Sequence, residues 1–482
     1  MSKNLIGRKQ ELQILNEALQ SPVAEMVSVI GRRRVGKTFL IKSAYKNRIN
    51  FQFTGIQNAT NKEQLQNFAY AISVASGAKT MKASPSNWVE AFIQLIEFLK
   101  AQQNEQNEQK QVIFIDELPW LGSRKSGFLR GLSFFWNSWA VDEHIVLVIC
   151  GSAASWMIQK VVHHTGGLHN RITRSILLKP FTLLETESFL SSRNIKLNRY
   201  QIAQLYMAIG GIPHYLEKIK RGRSTAQIID QLCFSETGAL KNEFSKLYPA
   251  LFANAEKHIQ IIRTLAQKQQ GMSRKEIIRM GSFANGGTIS IVLEELAQSG
   301  FIAMYYAFGK KNKQKLYRLT DEYSLFYLQF IEKNRKEGAK TWQHLSQTQT
   351  YKIWTGYAFE SLCMKHLAQM KKSLDIAGVY TTSSSFQKQG NDQEQGAQID
   401  LLLDRKDGVI NLFEMKFHHQ AFTLSKSYAQ DLKRKMGVFE ASSSAKKQLF
   451  WTLVTAHGLK ANEHSLGLID QVLTLDDLFV IP

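Results

Sequence analysis

The stretch Gly31-Arg32-Arg33-Arg34-Val35-Gly36-Lys37-Thr38 decides the fold of the amino-terminal part of this 482-residue chain. It follows Met26–Ile30, an apolar run rich in β-branched residues that is typical of a buried parallel strand. It precedes Phe39–Tyr45, whose apolar residues recur with helical spacing. Strand, glycine-rich loop and helix form the context in which the pattern G-x-x-x-x-G-K-S/T indicates a phosphate-binding loop.

The residue types of this loop suit a nucleoside triphosphate. Gly31 and Gly36 allow the backbone to curl so that its N–H groups face phosphate oxygens. Lys37 can neutralise the β- and γ-phosphates, and Thr38 can ligate Mg²⁺ at the positive end of the helix. We therefore predict that residues 31–38 bind ATP together with Mg²⁺. The alternative is a basic turn before an ordinary helix.

Two further apolar runs end in polar residues. Gln111–Ile115 leads into Asp116, which we predict to hold Mg²⁺ through water, and Glu117, which we predict to polarise the attacking water. A solvated strand end is the alternative for this acidic pair. Ile145–Gly151 is a third strand of the buried type, and Ser152 follows it where a polar sensor of the γ-phosphate would lie. A simple Gly-Ser turn is the alternative there.

These residues resemble the AAA+-related prokaryotic ATPases, in particular the archaeal-type ATPase family close to the STAND class. Leu5–Leu12 looks like the family's amino-terminal motif, which contacts the adenine side. Gly167–Arg174 precedes a predicted strand over Ser175–Phe181. Within Gly167–Arg174 the resemblance implies that Arg171 reaches the γ-phosphate of a neighbouring subunit, which would require a homo-oligomer. A surface arginine and a phosphate clamp within the same chain are the alternatives. Gly210–Leu216, which contains Pro213, resembles the helical-lid motif that senses bound nucleotide.

The middle of the chain is predicted to be mainly helical. Residues 181–250 have the amphipathic pattern of a lid. Three helices are then predicted, with a hairpin after them: the helices at Ala255–Ala266, Ser273–Arg279 and Thr288–Ser299, and the strands at Phe301–Tyr306 and Lys315–Leu319. This order resembles a winged helix-turn-helix, in which the third helix enters the major groove and the wing meets phosphate.

DNA contact by this module has evidence on both sides. Four hairpin lysines favour it: Lys310, Lys311, Lys313 and Lys315. Glu294 and Glu295 on the third helix would repel a DNA backbone. The alternatives are a module that packs within the molecule and a solvated hairpin tip.

Near the carboxy terminus, four charged residues fall on three predicted elements. Glu360 is a lone acid on a largely apolar turn of a helix, and Asp400 lies on the strand Ala397–Asp404. A turn at residues 407–408 leads to an antiparallel neighbour that carries Glu414 and Lys416 on one face. Two hard oxygen donors suit Mg²⁺ or Mn²⁺. Lys416 can orient or help to deprotonate a metal-bound water, or stabilise a pentavalent phosphate.

This arrangement resembles the PD-(D/E)XK nuclease superfamily. Asp400, Glu414 and Lys416 match its signature, and Glu360 matches the acid of its first helix. The polar segment Gly390–Gly396 stands where the usual proline–aspartate context is found. Contacts to a nucleic-acid backbone are predicted for Tyr428, Lys433 and Arg434 on the following helix, and an ordinary solvated helix face is the alternative.

The composition limits the class of protein. The net charge of +21 favours phosphate backbones or an anionic membrane surface as partners. Three widely spaced cysteines predict neither a disulfide framework nor a thiolate metal site, and they fit a reducing cytosol. The start of the chain does not resemble a signal peptide, and no apolar run approaches the roughly 20 residues that span a bilayer. We therefore predict a cytoplasmic protein without a membrane partner.

The predicted fold class is α/β. Four regions are predicted: a P-loop AAA+-like ATPase core with a parallel sheet (1–180), a helical lid (181–250), a winged helix-turn-helix (251–345) and an α/β restriction-endonuclease-like PD-(D/E)XK domain (346–482). The predicted function is ATP binding and hydrolysis that controls a metal-dependent nuclease-like domain acting on DNA. One alternative is an ATP-gated DNA-binding or scaffold regulator without nuclease activity, and another is a signalling ATPase without a nucleic-acid partner. The strandedness of the substrate, and the choice of DNA or RNA, stay open.

Overall fold

The computed structural model divides the chain into two compact units, Met1–Lys179 and Pro180–Pro482. The residues that it describes are 5–78, 83–103, 109–123, 125–162, 168, 170–252, 254–309, 315–336, 338, 340–390, 395–443 and 446–482. Of the predicted wing lysines, Lys310, Lys311 and Lys313 lie outside the described residues. None of the described helices is long and apolar enough to cross a membrane.

The amino-terminal unit is built on a sheet of five parallel strands in the order β2-β3-β4-β1-β5. The strands are β1 (Glu25–Ile30), β2 (Ile49–Thr54), β3 (Gln111–Asp116), β4 (Ile145–Gly151) and β5 (Arg174–Leu177). Every residue of β1, β3 and β4 is buried, as their continuous apolar runs predict. Because all five strands are parallel, the residues that follow β1, β3 and β4 meet at one edge of the sheet.

One predicted strand of this unit is wrong in extent. The apolar pattern predicts a strand over Ser175–Phe181, but β5 ends at Leu177. Leu178 still donates its N–H to Ile30 O at 2.7 Å, and the chain then leaves the sheet. Pro180 has no N–H to continue the ladder, which is why the strand stops before it.

Helices cover the amino-terminal sheet: α1 (Lys9–Gln20), α2 (Lys37–Ala44), α3 (Asn61–Ala75), α4 (Trp88–Gln102), α5 (Leu118–Leu121), α6 (Phe128–Ser138) and α7 (Ala154–Met157). The core between sheet and helices is aromatic. Phe53 of β2 packs edge-on against Phe68 of α3 at 5.0 Å, and Phe68 packs against Trp88 of α4 at 5.6 Å. This core holds the strand ends that carry the predicted nucleotide residues.

The first part of the carboxy-terminal unit is helical, as predicted: α8 (Leu183–Ser192), α9 (Arg199–Ile209), α10 (Pro213–Leu216), α11 (Thr225–Cys233) and α12 (Phe244–Leu247). The three predicted helices follow as α13 (Ala255–Ala266), α14 (Arg274–Met280) and α15 (Gly287–Gln298). Ser273 caps α14 in a capping box with Glu276. A small antiparallel sheet in the order β6-β8-β7 completes this part, with β6 (Met272–Ser273), β7 (Ile302–Tyr306) and β8 (Lys315–Leu319).

The rest of the unit combines helices with a five-stranded sheet in the order β15-β13-β11-β10-β9. The helices are α16 (Glu322–Phe326), α17 (Thr341–Leu345), α18 (Gln349–Lys365), α19 (Leu367–Ser373) and α20 (Lys426–Ser442). The strands are β9 (Thr381–Lys388), β10 (Ala397–Arg405), β11 (Val409–Lys416), β12 (Phe422–Thr423), β13 (Gln448–Thr455), β14 (Leu459–Lys460) and β15 (Gln471–Leu473). β10 and β11 are antiparallel neighbours, so the predicted pairing of these two strands is confirmed. Ile410 and Leu412 of β11 pack in one core with Leu432 and Phe439 of α20.

The hairpin β7–β8 is attached to this larger sheet. Phe308, just after β7, donates its N–H to Ser385 O of β9 at 2.8 Å, and its ring packs against Phe439 at 5.0 Å. The start of the connection between β7 and β8 is therefore packed against the larger sheet. This packing favours the alternative of an intramolecular role for the hairpin, and a DNA contact by its tip stays a prediction.

Candidate nucleotide and metal sites

The loop after β1 has the conformation that its glycines allow. Arg34 and Gly36 are in the left-handed region at φ 73° and 94°, and α2 begins directly after Gly36. Lys37 is buried, and its Nζ donates to Gly31 O at 2.9 Å and to Arg32 O at 3.1 Å. The ammonium group is thereby held inside the curve of the loop.

Gly31 is required by a close backbone approach. A Cβ atom at this position would lie 2.4 Å from Leu178 O, closer than any side chain can approach a carbonyl oxygen. The contact belongs to the turn at which the chain leaves β5. The first glycine of the loop therefore fixes the loop against the neighbouring strand, in addition to exposing its own N–H.

Thr38 and Asp116 meet although they are far apart in sequence. Thr38 Oγ1 donates to Asp116 Oδ2 at 2.7 Å, and the second carboxylate oxygen accepts the Glu117 N–H at 2.9 Å. A hydroxyl and a carboxylate oxygen beside a phosphate-binding loop suit Mg²⁺. The structure thus brings together the two residues that we predict as magnesium ligands.

Glu117 and Ser152 are hydrogen-bonded to each other. Ser152, directly after β4, donates its N–H to Glu117 Oε2 at 3.3 Å and its hydroxyl to Glu117 Oε1. Glu117 is in the left-handed region at φ 52°, which costs free energy for a residue with a side chain and occurs preferentially at functional sites. Glu117, which we predict to polarise the attacking water, is therefore held by Ser152, which we predict to sense the γ-phosphate.

Arg171 and Pro213 take no part in the hydrogen bonds described above. Arg171 is exposed, and within the described part of the chain it forms no ion pair. By contrast, Arg174 is paired with Glu17 at 2.9 Å and with Glu25 at 3.4 Å. Pro213 is the first residue of α10 in the carboxy-terminal unit. Contact of either Arg171 or Pro213 with a nucleotide stays a prediction.

In the carboxy-terminal unit, Glu414 is surrounded by cations. Lys416 Nζ is 2.9 Å from Glu414 Oε1, Lys435 Nζ is 3.7 Å from Oε2, and the Tyr428 hydroxyl donates to Oε1. Burial alone would raise the pKa of Glu414, but Lys416, Lys435 and Tyr428 together lower it below its usual value. Burial would lower the pKa of Lys416, and its pairing with Glu414 raises it instead. Both side chains are therefore charged at neutral pH.

Glu360 has a different environment. It lies on α18, and Arg318 of β8 donates Nη2 to its Oε2 at 3.4 Å. Burial, and then the nearby carboxylate of Asp400, raise the pKa of Glu360 to about 8, although Arg318 opposes this shift. Asp400 itself accepts a hydrogen bond from Gln398 Nε2 at 2.6 Å.

Glu360, Asp400 and Glu414 line one cavity of about 920 Å³. The charged residues of its lining include Glu360, Asp400, Glu414, Lys416 and Lys435. Two of the carboxylates, Asp400 and Glu414, are hard oxygen donors of the type that Mg²⁺ and Mn²⁺ prefer. However, the part of the chain that the structure describes contains no group of three or more acidic, histidine or cysteine side chains positioned to hold a metal ion. The metal site stays a prediction that fits the donor chemistry.

Three functional candidates were not predicted from the sequence: Lys435, Arg318 and Gln398. Helical spacing indicates Lys435, because it lies seven residues after Tyr428 and so shares its face of α20. Contact of Tyr428, Lys433 and Arg434 with a nucleic-acid backbone stays a prediction, and Tyr428 is bonded to Glu414. Lys433 is exposed, and Arg434 is bonded to Asp431 at 2.6 Å and to Gly396 O at 2.7 Å. No sequence pattern indicates Arg318, because it lies on β8, within residues 251–345, whereas the other charged residues of the site belong to the region predicted at 346–482.

Comparison with known proteins supports the reading of the amino-terminal part. Residues 5–219 match a family described as an ATPase domain predominantly from Archaea. The chain is 26% identical over 442 residues to the uncharacterized protein MJECL04 of Methanocaldococcus jannaschii, which covers 89% of this chain and 91% of that protein.

Solved structures of two ATP-related proteins also resemble the chain. The Walker-type ATPase of Pyrococcus abyssi aligns with a TM-score of 0.48 at 17% identity, over 67% of this chain and 96% of that one. The ORC2 protein of Aeropyrum pernix, in its ADPNP–ADP complexes, aligns with a TM-score of 0.41 at 14% identity, over 72% of this chain and 98% of that one. From the family match, residues 5–219 contain an ATPase domain of the archaeal type.

Proposed function

We propose that this protein hydrolyses ATP, and that its nucleotide state controls a metal-dependent nuclease-like region acting on DNA. The observation that carries the proposal is the convergence of Glu360, Asp400, Glu414 and Lys416 on one cavity, in a chain that also contains an ATPase domain. The three cysteines are free thiols, which fits a reducing compartment such as the cytoplasm.

In the ATPase half, each residue has a role that its contacts support. Thr38 and Asp116 would hold Mg²⁺, and Lys37 would leave the loop carbonyls for the β- and γ-phosphates. Glu117 would orient the attacking water once Ser152 turns to the γ-phosphate. We assign to exposed Arg171 a role in a neighbouring copy's site, and to Pro213 and residues 181–250 the role of a lid that senses the nucleotide.

In the carboxy-terminal half, the chain's own residues would bind and orient DNA. Asp400 and Glu414 would hold Mg²⁺ or Mn²⁺, which when bound supplies a Lewis acid for phosphodiester hydrolysis. Lys416 is placed beside Glu414 to stabilise negative charge on the phosphate. Residues 251–345 would form a winged helix. Within this region Glu295 is engaged by His258 at 2.8 Å, which leaves Glu294 as the exposed acid of α15.

A second function is favoured by one observation. Glu414 already has Lys416, Lys435 and Tyr428 as partners, which is a satisfied arrangement without any metal ion. A region that has kept this fold for binding alone would look the same. The chain would then be an ATP-gated DNA-binding regulator without nuclease activity.

The deciding experiment measures nicking of supercoiled DNA by the full-length protein with Mg²⁺ or Mn²⁺, with and without ATP. We expect nicking by the wild type and its loss in Asp400→Ala and in Glu414→Ala. Glu440→Ala, an exposed acid on α20, serves as the matched control and should cleave normally. Nicking that survives both active-site substitutions, or is absent from the wild type with both metals, rejects the nuclease half.

ATP turnover with and without DNA separates the remaining functions. DNA-dependent turnover together with salt-sensitive DNA binding supports the regulator if no nicking occurs. Turnover that DNA leaves unchanged, with no salt-sensitive binding, supports a signalling ATPase without a nucleic-acid partner.

A further inference from the structure

The cavity of the candidate metal site is also lined by residues that phosphodiester hydrolysis does not require. Besides the charged cluster it is bordered by Tyr200, Lys352, Tyr357 and Phe417. Its volume of about 920 Å³ lies at the upper end of the range of about 300–1,000 Å³ for small-ligand pockets. The space therefore suits a few nucleotides and is small for a double helix.

Two of the carboxylates that line this cavity are largely buried. Only 15% of the Glu360 side chain and 13% of the Glu414 side chain are exposed. A phosphodiester must enter the cavity to reach them. The phosphates of a duplex lie on its outside, but a base that enters the cavity with its phosphate has to leave its partner, at a cost in base pairing and stacking. A strand that is already unpaired enters without this cost.

Tyr357 provides a ring for a base. It lies three residues before Glu360 on α18, so the two side chains share one face of the helix. Its side chain is half-buried and borders the cavity, and among the described residues no other ring packs against it and no side chain bonds its hydroxyl. Every base has a face that can stack on such a ring, whatever its sequence.

A second aromatic surface lies next to the charged cluster. Tyr200 and Phe417 are stacked with ring centroids 4.6 Å apart and an angle of 3° between their planes, and Phe417 directly follows Lys416. Tyr200 also stacks against His457 at 5.2 Å. This stack is an ordered apolar wall of the cavity, beside the lysine that we assign to the phosphate.

Cations complete the lining. Lys352 is exposed on α18, five residues before Tyr357, and Lys416 and Lys435 lie in the cavity. Rings for bases and ammonium groups for phosphates are the two components of sites that bind single-stranded nucleic acid. We propose that this cavity binds an unpaired DNA strand, with a base against Tyr357 and the backbone passing Lys352 towards Lys416. This inference deepens the proposed function and rests on its assignment of DNA as the partner.

The test measures equilibrium binding by the full-length protein in EDTA, which prevents cleavage. The probes are a fluorescent 12-nucleotide oligothymidine and a blunt duplex of the same length, followed by anisotropy. We expect the single strand to bind at least about tenfold more tightly than the duplex. Equal affinity for both probes overturns the proposal, and so does displacement of the strand by thymidine monophosphate at an affinity equal to that of the oligonucleotide.

Variants at Tyr357 test the role of the ring. Base–aromatic stacking predicts that Tyr357→Ala weakens single-strand binding by about tenfold, within a range of about 5- to 150-fold. Tyr357→Phe keeps the ring and should bind like the wild type. Tyr380→Ala removes an exposed tyrosine of the same unit outside the cavity and is the matched control. An unaffected Tyr357→Ala, or an equal loss in Tyr357→Phe, contradicts the proposal.

A surface variant covers the case in which Tyr357→Ala does not fold. Lys352→Glu changes an exposed residue and should weaken single-strand binding by about tenfold at low salt, while Lys446→Glu makes the same charge change at an exposed site outside the cavity. Equal losses in both variants reject the cavity as the binding site. Selective binding of the single strand without metal-dependent nicking would support this inference and reject the nuclease. Nicking of duplex DNA that Tyr357→Ala leaves unchanged would support the nuclease and reject this inference.

Discussion

The phosphate loop of the amino-terminal unit and the cavity of the carboxy-terminal unit position charged groups by different means. In the loop, eight consecutive residues supply the site, and Lys37 is held by carbonyl groups five and six residues before it. In the cavity, Glu360, Asp400 and Glu414 come from α18, β10 and β11, and their partners Arg318 and Lys435 come from β8 and α20.

The difference shows what each kind of site depends on. A loop built from backbone groups keeps its shape as long as its own glycines and the neighbouring strands stay in place. A cavity built from side chains exists only while several elements are packed together. Its charged side chains neutralise one another until a ligand takes the place of some of these partners. The predictions below test this contrast, from the largest expected effect to the smallest.

Removal of the loop ammonium should have the largest effect. We expect Lys37→Ala to reduce ATP turnover by about 1,000-fold, since preorganised charge at the transferred phosphate typically contributes about 100- to 1,000-fold or more. Steady-state phosphate release measures this. Lys42→Ala, at an exposed position of the same helix, is the matched control and should turn over normally. Turnover by Lys37→Ala within tenfold of the wild-type rate would contradict the role of Lys37 in ATP hydrolysis.

Loss of Arg318 should open the cavity. Arg318→Met removes the donor that serves both the buried Glu360 carboxyl and Tyr357 O of α18. Because the pKa of Glu360 is about 8, its carboxyl is largely neutral near pH 7, and we expect a loss of about 3 kcal/mol, the upper end of the range for a buried polar group left without a partner. Hydrogen exchange of α18, resolved by mass spectrometry, measures the change. Arg279→Met, at an exposed site of α14, should change the free energy of opening by less than about 0.5 kcal/mol. Unchanged protection of α18 in Arg318→Met would show that the hairpin does not hold the cavity.

Acid should destabilise the carboxy-terminal unit through His366. This buried histidine accepts the Leu183 N–H at Nε2 and contacts Leu362 O at Nδ1, and burial lowers its pKa from 6.5 to about 4. The unfolded chain binds the proton more readily, so stability is full above about pH 6.5 and is lost as the pH falls towards 4, by about 3 kcal/mol. Urea unfolding at pH 7 and pH 4.5, followed by hydrogen exchange of α18, measures the loss.

The control for this effect is a side chain that does not titrate. His366→Gln can still bond Leu183 N and Leu362 O, and it should lose less of its stability between the two pH values than the wild type does. An equal loss in both proteins would assign the acid sensitivity to other groups.

A methyl group at the first loop glycine should have the smallest effect on stability. Gly31→Ala places a Cβ atom 2.4 Å from Leu178 O, and the backbone shift should cost about 2 kcal/mol, as overpacking does. Differential scanning calorimetry of the full chain measures it, together with ATP affinity. Gly437→Ala, on α20 with nothing within 4 Å of the added atom, should keep or raise the stability. A Gly31→Ala protein of normal stability and affinity would show that the contact with Leu178 is not needed.

Much of the fold could be predicted because its signals are local. The buried strands ending at Ile30, Asp116 and Gly151 are continuous apolar runs, and the helix Ala255–Ala266 has the bounds that its spacing predicts. The strand predicted to reach Phe181 ends at Leu177, because its neighbour β1 ends at Ile30 and Pro180 has no N–H for a ladder, and an apolar pattern reports neither fact. The pairing of β10 with β11 followed from one short turn.

By itself, the sequence determined the phosphate loop, since its function depends on glycine conformations and on backbone groups within eight residues, and it named the carboxylates of the second site. Tertiary structure alone decided that Ser152 holds Glu117, that Arg318 faces Glu360, and that the face of α20 with Tyr428 and Lys435 lies against Glu414. It also decided that rings such as Tyr357 border the carboxylates. The physical reason is that side-chain contacts across distant elements depend on how helices and sheets pack, and no spacing along the chain encodes that packing directly.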